Sequence, residues 1–102
     1  MKKIVNGRVY NTETAQEICG YQYSNPSDFN YCREALYKTK KGAYFICGEG
    51  GPRSKYGHSV EPNCVSGGEG IRVLAEDEAR EFTEKHGTVD DYVAAFGEPE
   101  EA

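Results

Sequence analysis

Two stretches of the chain, Phe29 to Thr39 and Ala43 to Cys47, flank Lys40-Lys41-Gly42 and are apolar on alternating positions of both phases. Strand side chains alternate between the faces of a sheet, so this pattern gives a ribbon with two greasy sides. A three-residue loop with Gly42 in the left-handed region pairs Leu36 with Ile46 and Tyr37 with Phe45. Leu36, Tyr44 and Ile46 then share one face, and Ala35, Tyr37, Phe45 and Cys47 share the other. Such a ribbon has to be covered on both sides. A four-residue loop shifts every pair by one, and both registers stay open from the sequence.

The flanking segments supply the covers. Lys3-Ile4-Val5, Asn6-Gly7 and Arg8-Val9-Tyr10 spell a two-residue hairpin, because Asn-Gly accepts the positive φ angles of a type I′ turn. Its register sets Val5 against Arg8 and Ile4 against Val9. Asn11-Thr12-Glu13-Thr14 offers caps to a helix of one or two turns, with Ala15, Ile18 and Cys19 on one side and Gly20 as its stop. Tyr21-Gln22-Tyr23 alternates like a short strand, and Asn25-Pro26-Ser27-Asp28 reads as a turn. Residues 48–70 hold seven glycines and two prolines and read as one long loop. Ile71 to Leu74 is a short strand.

Toward the C-terminus, Ala75, Ala79, Phe82 and His86 recur at helical spacing, behind Glu76, Asp77 and Glu78 at the positive end of the helix dipole. Leu74 is placed to staple onto Ala79, with Ala75 as a poor cap, and Gly87 ends the helix. Thr88-Val89-Asp90-Asp91 resembles a capping box, followed by a stripe of Val89, Tyr92, Val93 and Phe96 that Gly97 closes.

At 102 residues the chain has the size of one domain. The expected fold is α+β: an antiparallel sheet of four to five short strands, built from two hairpins, with two C-terminal helices packed on one face. Residues 1–97 form that domain and 98–102 an acidic flexible tail. No apolar run nears the roughly 18 residues of a membrane span, and the opening turns polar at once, which is unlike a signal peptide. A cytoplasmic location follows as the expectation. Cys19, Cys32, Cys47 and Cys64 contain no close C-x-x-C pair, so structural thiols are expected, with no metal and no cofactor. A convergence of Cys47, His58 and Cys64, with Cys19 or His86 as fourth ligand, is the metal arrangement weighed against this. Cys47 or Cys64 with His58 is the corresponding nucleophilic arrangement, and neither matches a catalytic signature.

The net charge of −5 is unevenly spread. Residues 1–57 hold nine Lys/Arg and five Asp/Glu, whereas residues 58–102 hold three and twelve. Two candidate surfaces follow. Glu76, Asp77, Glu78, Glu81, Glu84, Asp90 and Asp91 make the helices acidic, suited to a basic protein surface that otherwise meets phosphates. Arg33, Lys38, Lys40, Lys41, Arg53 and Lys55 mix with Tyr31, Tyr37, Tyr44 and Tyr56, as cations and stacking rings do in nucleic-acid binders. Gly48-Glu49-Gly50-Gly51-Pro52-Arg53-Ser54-Lys55 lacks the spacing of a phosphate loop.

The segment Asp28-Phe29-Asn30-Tyr31-Cys32-Arg33-Glu34-Ala35-Leu36-Tyr37-Lys38-Thr39-Lys40-Lys41-Gly42-Ala43-Tyr44-Phe45, running into Gly48-Glu49-Gly50-Gly51, resembles a family of small proteins of no assigned activity. They are carried by phages and conjugative elements of Gram-positive gut bacteria. Tyr10-Asn11-Thr12-Glu13-Thr14-Ala15, Gly67-Gly68-Glu69 and the closing helices are similar too, with Ala75 standing where a capping Thr is expected. The resemblance implies an accessory gene of a mobile element. The combined expectation is a non-enzymatic protein that binds a host or element protein, such as a defence nuclease in the manner of anti-CRISPR or anti-restriction inhibitors. Nucleic-acid binding by the basic hairpin is the alternative.

Overall fold

The computed structural model describes residues 1–25, 27–61 and 64–102, with the backbone alone at 58–61 and 64–66. The Asn25–Asp28 turn includes position 26, and the side chains of His58 and Cys64 belong to the second set, so these readings lie partly outside the described residues.

The first hairpin forms as its turn chemistry dictates. β1 (Lys2–Val5) pairs with β2 (Arg8–Asn11) in the expected register, Ile4 to Val9 and Val5 to Arg8. Asn6 and Gly7 hold φ of 51° and 76°. The hairpin is a two-stranded sheet of its own. Tyr10 points inward and meets Phe45 edge-on at 5.5 Å, and Tyr37 stacks on the same ring at 5.2 Å.

The main sheet is antiparallel in the order β3 (Gln16–Tyr23), β4 (Cys32–Lys38), β5 (Tyr44–Gly50), β8 (Gly68–Leu74). The central ribbon has the three-residue-loop register, with Leu36 opposite Ile46, Tyr37 opposite Phe45 and Gly42 at φ 86°. Phe45, Leu36 and Ile46 lie fully inside. Between β5 and β8 the chain forms a small third sheet of β6 (His58–Glu61) and β7 (Cys64–Ser66).

Two expectations are corrected. The helix expected over residues 12–19 is absent: Asn11 to Ala15 makes a turn, with the amides of Thr14 and Ala15 donating to the Asn11 carbonyl, and β3 follows. Asn and Thr serve turns as well as caps. Beyond them, Ile18, Cys19 and Gly20 are weak helix formers, and pairing with β4 prevails over local preference. The 48–70 stretch is also not one loop. Gly48-Glu49-Gly50 pairs residue by residue with Gly70, Glu69 and Gly68, so both ends belong to strands.

α1 (Glu76–His86) and α2 (Val89–Phe96) pack on one sheet face over Cys19, Leu36, Tyr44, Ile46 and Leu74. Ala75 caps α1 through its amide, which donates to the Glu78 carboxylate at 3.0 Å. Thr88 and Asp91 exchange the reciprocal bonds of a capping box. The other face carries Phe45 and Ile71 beneath Tyr10 of the hairpin.

Candidate functional site

On the helix-bearing face, strand alternation sets Tyr21, Glu34, Gly48 and Gly70 in one row across the sheet. Only glycine leaves the backbone low enough here for another segment to lie on top. A Cβ on Gly48 would overlap the hydroxyl end of the Tyr56 ring, and one on Gly50 would strike Ser54. The 51–57 segment therefore rests on a glycine floor, and Tyr56 reaches across it to Glu34.

Glu34 is 2% exposed and accepts three bonds. The Tyr21 and Tyr56 hydroxyls donate to its two oxygens, each at 2.5 Å, and the Lys55 ammonium donates at 2.9 Å. Burial alone would raise its pKa, but the two hydroxyls and Lys55 hold the carboxyl below the ordinary range. Both tyrosines are pushed well above their usual values, first by burial and then by donating to a carboxylate. With three of its roughly four acceptor sites filled from β3 and the 51–57 segment, Glu34 clasps these two segments to β4.

Outside the clasp runs a groove of about 280 Å³ between the 51–57 segment and α1, lined by Lys55, Arg72, Glu78, Phe82, Lys85 and His86 among others. His86 stacks on Tyr21 at 4.0 Å. Its pKa is lowered, chiefly by burial of the ring, with Lys85 and Lys55 adding to the effect and Glu34 opposing it.

The pH dependence follows from these signs. His86 has a folded pKa below its unfolded value, so the unfolded chain takes up that proton first. Stability declines as pH falls through about 6.5, the unfolded histidine value, and levels off below the folded one. Glu34 also has a depressed folded pKa. Its contribution is complete above the unfolded carboxylate value of about 4.3 and is lost as pH falls through the folded one. Urea midpoints measured against pH are expected to drop in two stages. His86→Gln should remove the upper stage and spare the lower; a variant that keeps both assigns the upper stage to another group.

The acidic residues named from the sequence are divided among different tasks. Glu78 and Asp91 serve as helix caps, and Glu76 and Glu81 pair with Arg80 and Lys85 at 2.9 and 3.8 Å. Asp77, Glu84 and Asp90 have no ion-pair partner among the described residues. Where α1 ends and α2 begins, Thr83, Glu84, Gly87, Val89, Tyr92 and Pro99 line an open hollow of about 270 Å³. Val89 stands on its lip with 73% of its surface exposed. Pro99 of the expected tail is thus one of its walls.

The basic set is not gathered into one surface. Lys38, Lys40 and Lys41 lie at one end of the β4–β5 ribbon, and Arg53 and Lys55 follow its other end. Seven residues of strand at about 3.3 Å each separate the ends by roughly 20 Å. Lys38 donates to the Ala95 carbonyl, Arg53 lies over Phe29, and Lys55 holds Glu34. Arg33 is on the opposite face, in line with Glu49 and Glu69. Of the tyrosines, Tyr31 and Tyr44 are buried and Tyr37 and Tyr56 half-buried.

Cys19 and Cys32 are buried and Cys47 half-buried, and burial raises the thiol pKa of Cys19 and Cys47. The described residues contain no group of three or more metal-ligating side chains. No helix among them is long and apolar enough to cross a membrane. No family model, curated protein or solved structure matches the chain.

Proposed function

We propose that the chain is a non-enzymatic binding domain that engages a basic protein surface through the corner between α1 and α2. The observation that carries this reading is the exposed Val89 beside a hollow walled by Tyr92 and Pro99, next to the carboxylates of Glu84 and Asp90, which have no ion-pair partner among the described residues. An apolar centre with a charged rim is the anatomy of a protein interface. The rim selects Lys or Arg on the partner, and the hollow takes an apolar side chain between them.

In the context implied by the sequence resemblance, the partner is a host or element protein. A defence nuclease fits that chemistry, because its phosphate-binding surface is basic and acidic side chains can occupy it. Nucleic-acid binding remains the alternative reading, and the separation of the basic residues gives it less support.

The test is capture of partners from host lysate, before and after nuclease, by the tagged chain and by Val89→Asp and Glu84→Lys/Asp90→Lys variants. A protein that survives nuclease and is lost by both variants is the expected result. Capture that vanishes with nuclease, or that neither variant weakens, contradicts the reading.

A further inference from the structure

β3 is an outer strand of the main sheet, and apart from its ladder to β4 no backbone hydrogen bond is made by Gln16–Tyr23 among the described residues. Its other edge therefore presents amides and carbonyls in a row, which is a template for another strand. Proteins ordinarily blunt such an edge with charge, proline or a bulge. Here a register shift between Glu17 and Cys19 distorts the first part only, and Cys19 to Tyr23 pairs regularly with β4. From Ile18 to Asn25 there is no charged residue and no proline. Tyr23 is 62% exposed. The opposite edge is managed differently, since β8 carries Glu69 and Arg72 and packs beside β1.

We propose that β3 is a self-association edge: two copies pair antiparallel through Cys19–Tyr23 and join their four-stranded sheets into one of eight strands. A two-fold contact sets the same segment against itself, so it must tolerate its own side chains. This segment does. An axis at Tyr21, the centre of this segment, places Glu17 opposite Asn25 and so avoids the like charges across a strand pair that would oppose association. A foreign strand finds no charge pattern on this edge to select it, whereas a second copy supplies the matching uncharged run. Cys19 lies beside Thr83 of the α1–α2 corner, but the proposal rests on the backbone edge of β3 and its test reads self-association alone, so it stands or falls independently of the partner-binding reading.

The test is sedimentation equilibrium of the full chain across a concentration series, with Gln22→Lys/Tyr23→Lys and Gln22→Glu/Tyr23→Glu. Both positions are exposed, and far-ultraviolet circular dichroism checks that the variants fold. Wild type should form dimers, and each charged variant, with two charges brought onto the edge, should dissociate at least about tenfold more readily. A wild-type monomer at every concentration overturns the proposal, as does a dimer that the charges leave untouched. Should a variant not fold, hydrogen exchange on wild type decides: amides of Cys19–Tyr23 gain protection with concentration, or the edge is not the contact.

Discussion

Replacing Glu34 by alanine is expected to cost about 3 kcal/mol, a large share of the roughly 5–15 kcal/mol that holds a domain of this size together. The side chain is buried, and its removal leaves the hydroxyls of the half-buried Tyr21 and Tyr56 without their acceptor, where an unsatisfied buried group costs about 1–3 kcal/mol and one that reaches water costs less. The lost Lys55 pair adds less, because that ammonium is 55% exposed and can turn to water. Glu34→Gln keeps the shape and one acceptor, so it should lose about 1–2 kcal/mol. Urea denaturation checks both, with lower midpoints at unchanged slope. An alanine variant as stable as wild type would mean that the three bonds contribute nothing net.

The second large effect is expected at Gly48. Its substitution by alanine drives a methyl into the hydroxyl end of Tyr56, and the side chain has to leave Glu34 to make room. Overpacking of this kind costs about 1–3 kcal/mol. The sharper expectation concerns coupling. In a Tyr56→Ala background the obstruction is gone, and Gly48→Ala should become neutral or favourable by about 0.5–1 kcal/mol, since glycine weakens strand interiors. Equal costs in the two backgrounds would show that Tyr56 does not occupy the floor as described.

Much of this fold was legible where its cause is local. Asn6-Gly7 and Lys40-Lys41-Gly42 determine their hairpins through turn geometry, and Thr88 with Asp91 starts α2 by bonds spanning three residues. The start of β3, up to Cys19, reads as helix because Asn11 and Thr14 suit a turn or a cap equally well, whereas Tyr21-Gln22-Tyr23 already reads as strand. What decides between them is β4, nine residues beyond the end of β3. The mirrored Gly-Glu-Gly triplets are a further signal in the sequence: 48–50 pairs with 68–70, and Gly48 and Gly50 leave room for Tyr56 and Ser54.

The clasp was harder to see. Tyr21, Glu34, Lys55 and Tyr56 come from three separate parts of the chain, and no spacing links them. One trace was present: Glu34 shares strand phase with Leu36, so a carboxylate falls at an inward position of an otherwise apolar ribbon. The Val89 hollow was hidden for a different reason. Helical periodicity assigns Val89 to the inner stripe with Tyr92 and Phe96, but as the first residue of α2 it stands before the helix meets the sheet and is left exposed.

Hydrogen exchange on this chain, alone and saturated with the partner that survives nuclease, tests the binding reading most directly. Slowed exchange over Glu84–Ala95, with the Lys38–Lys41 turn and Arg53–Lys55 unchanged, is the result predicted for docking at the α1–α2 corner. Slowing confined to the two basic segments would contradict it and move the interface to the β4–β5 ribbon.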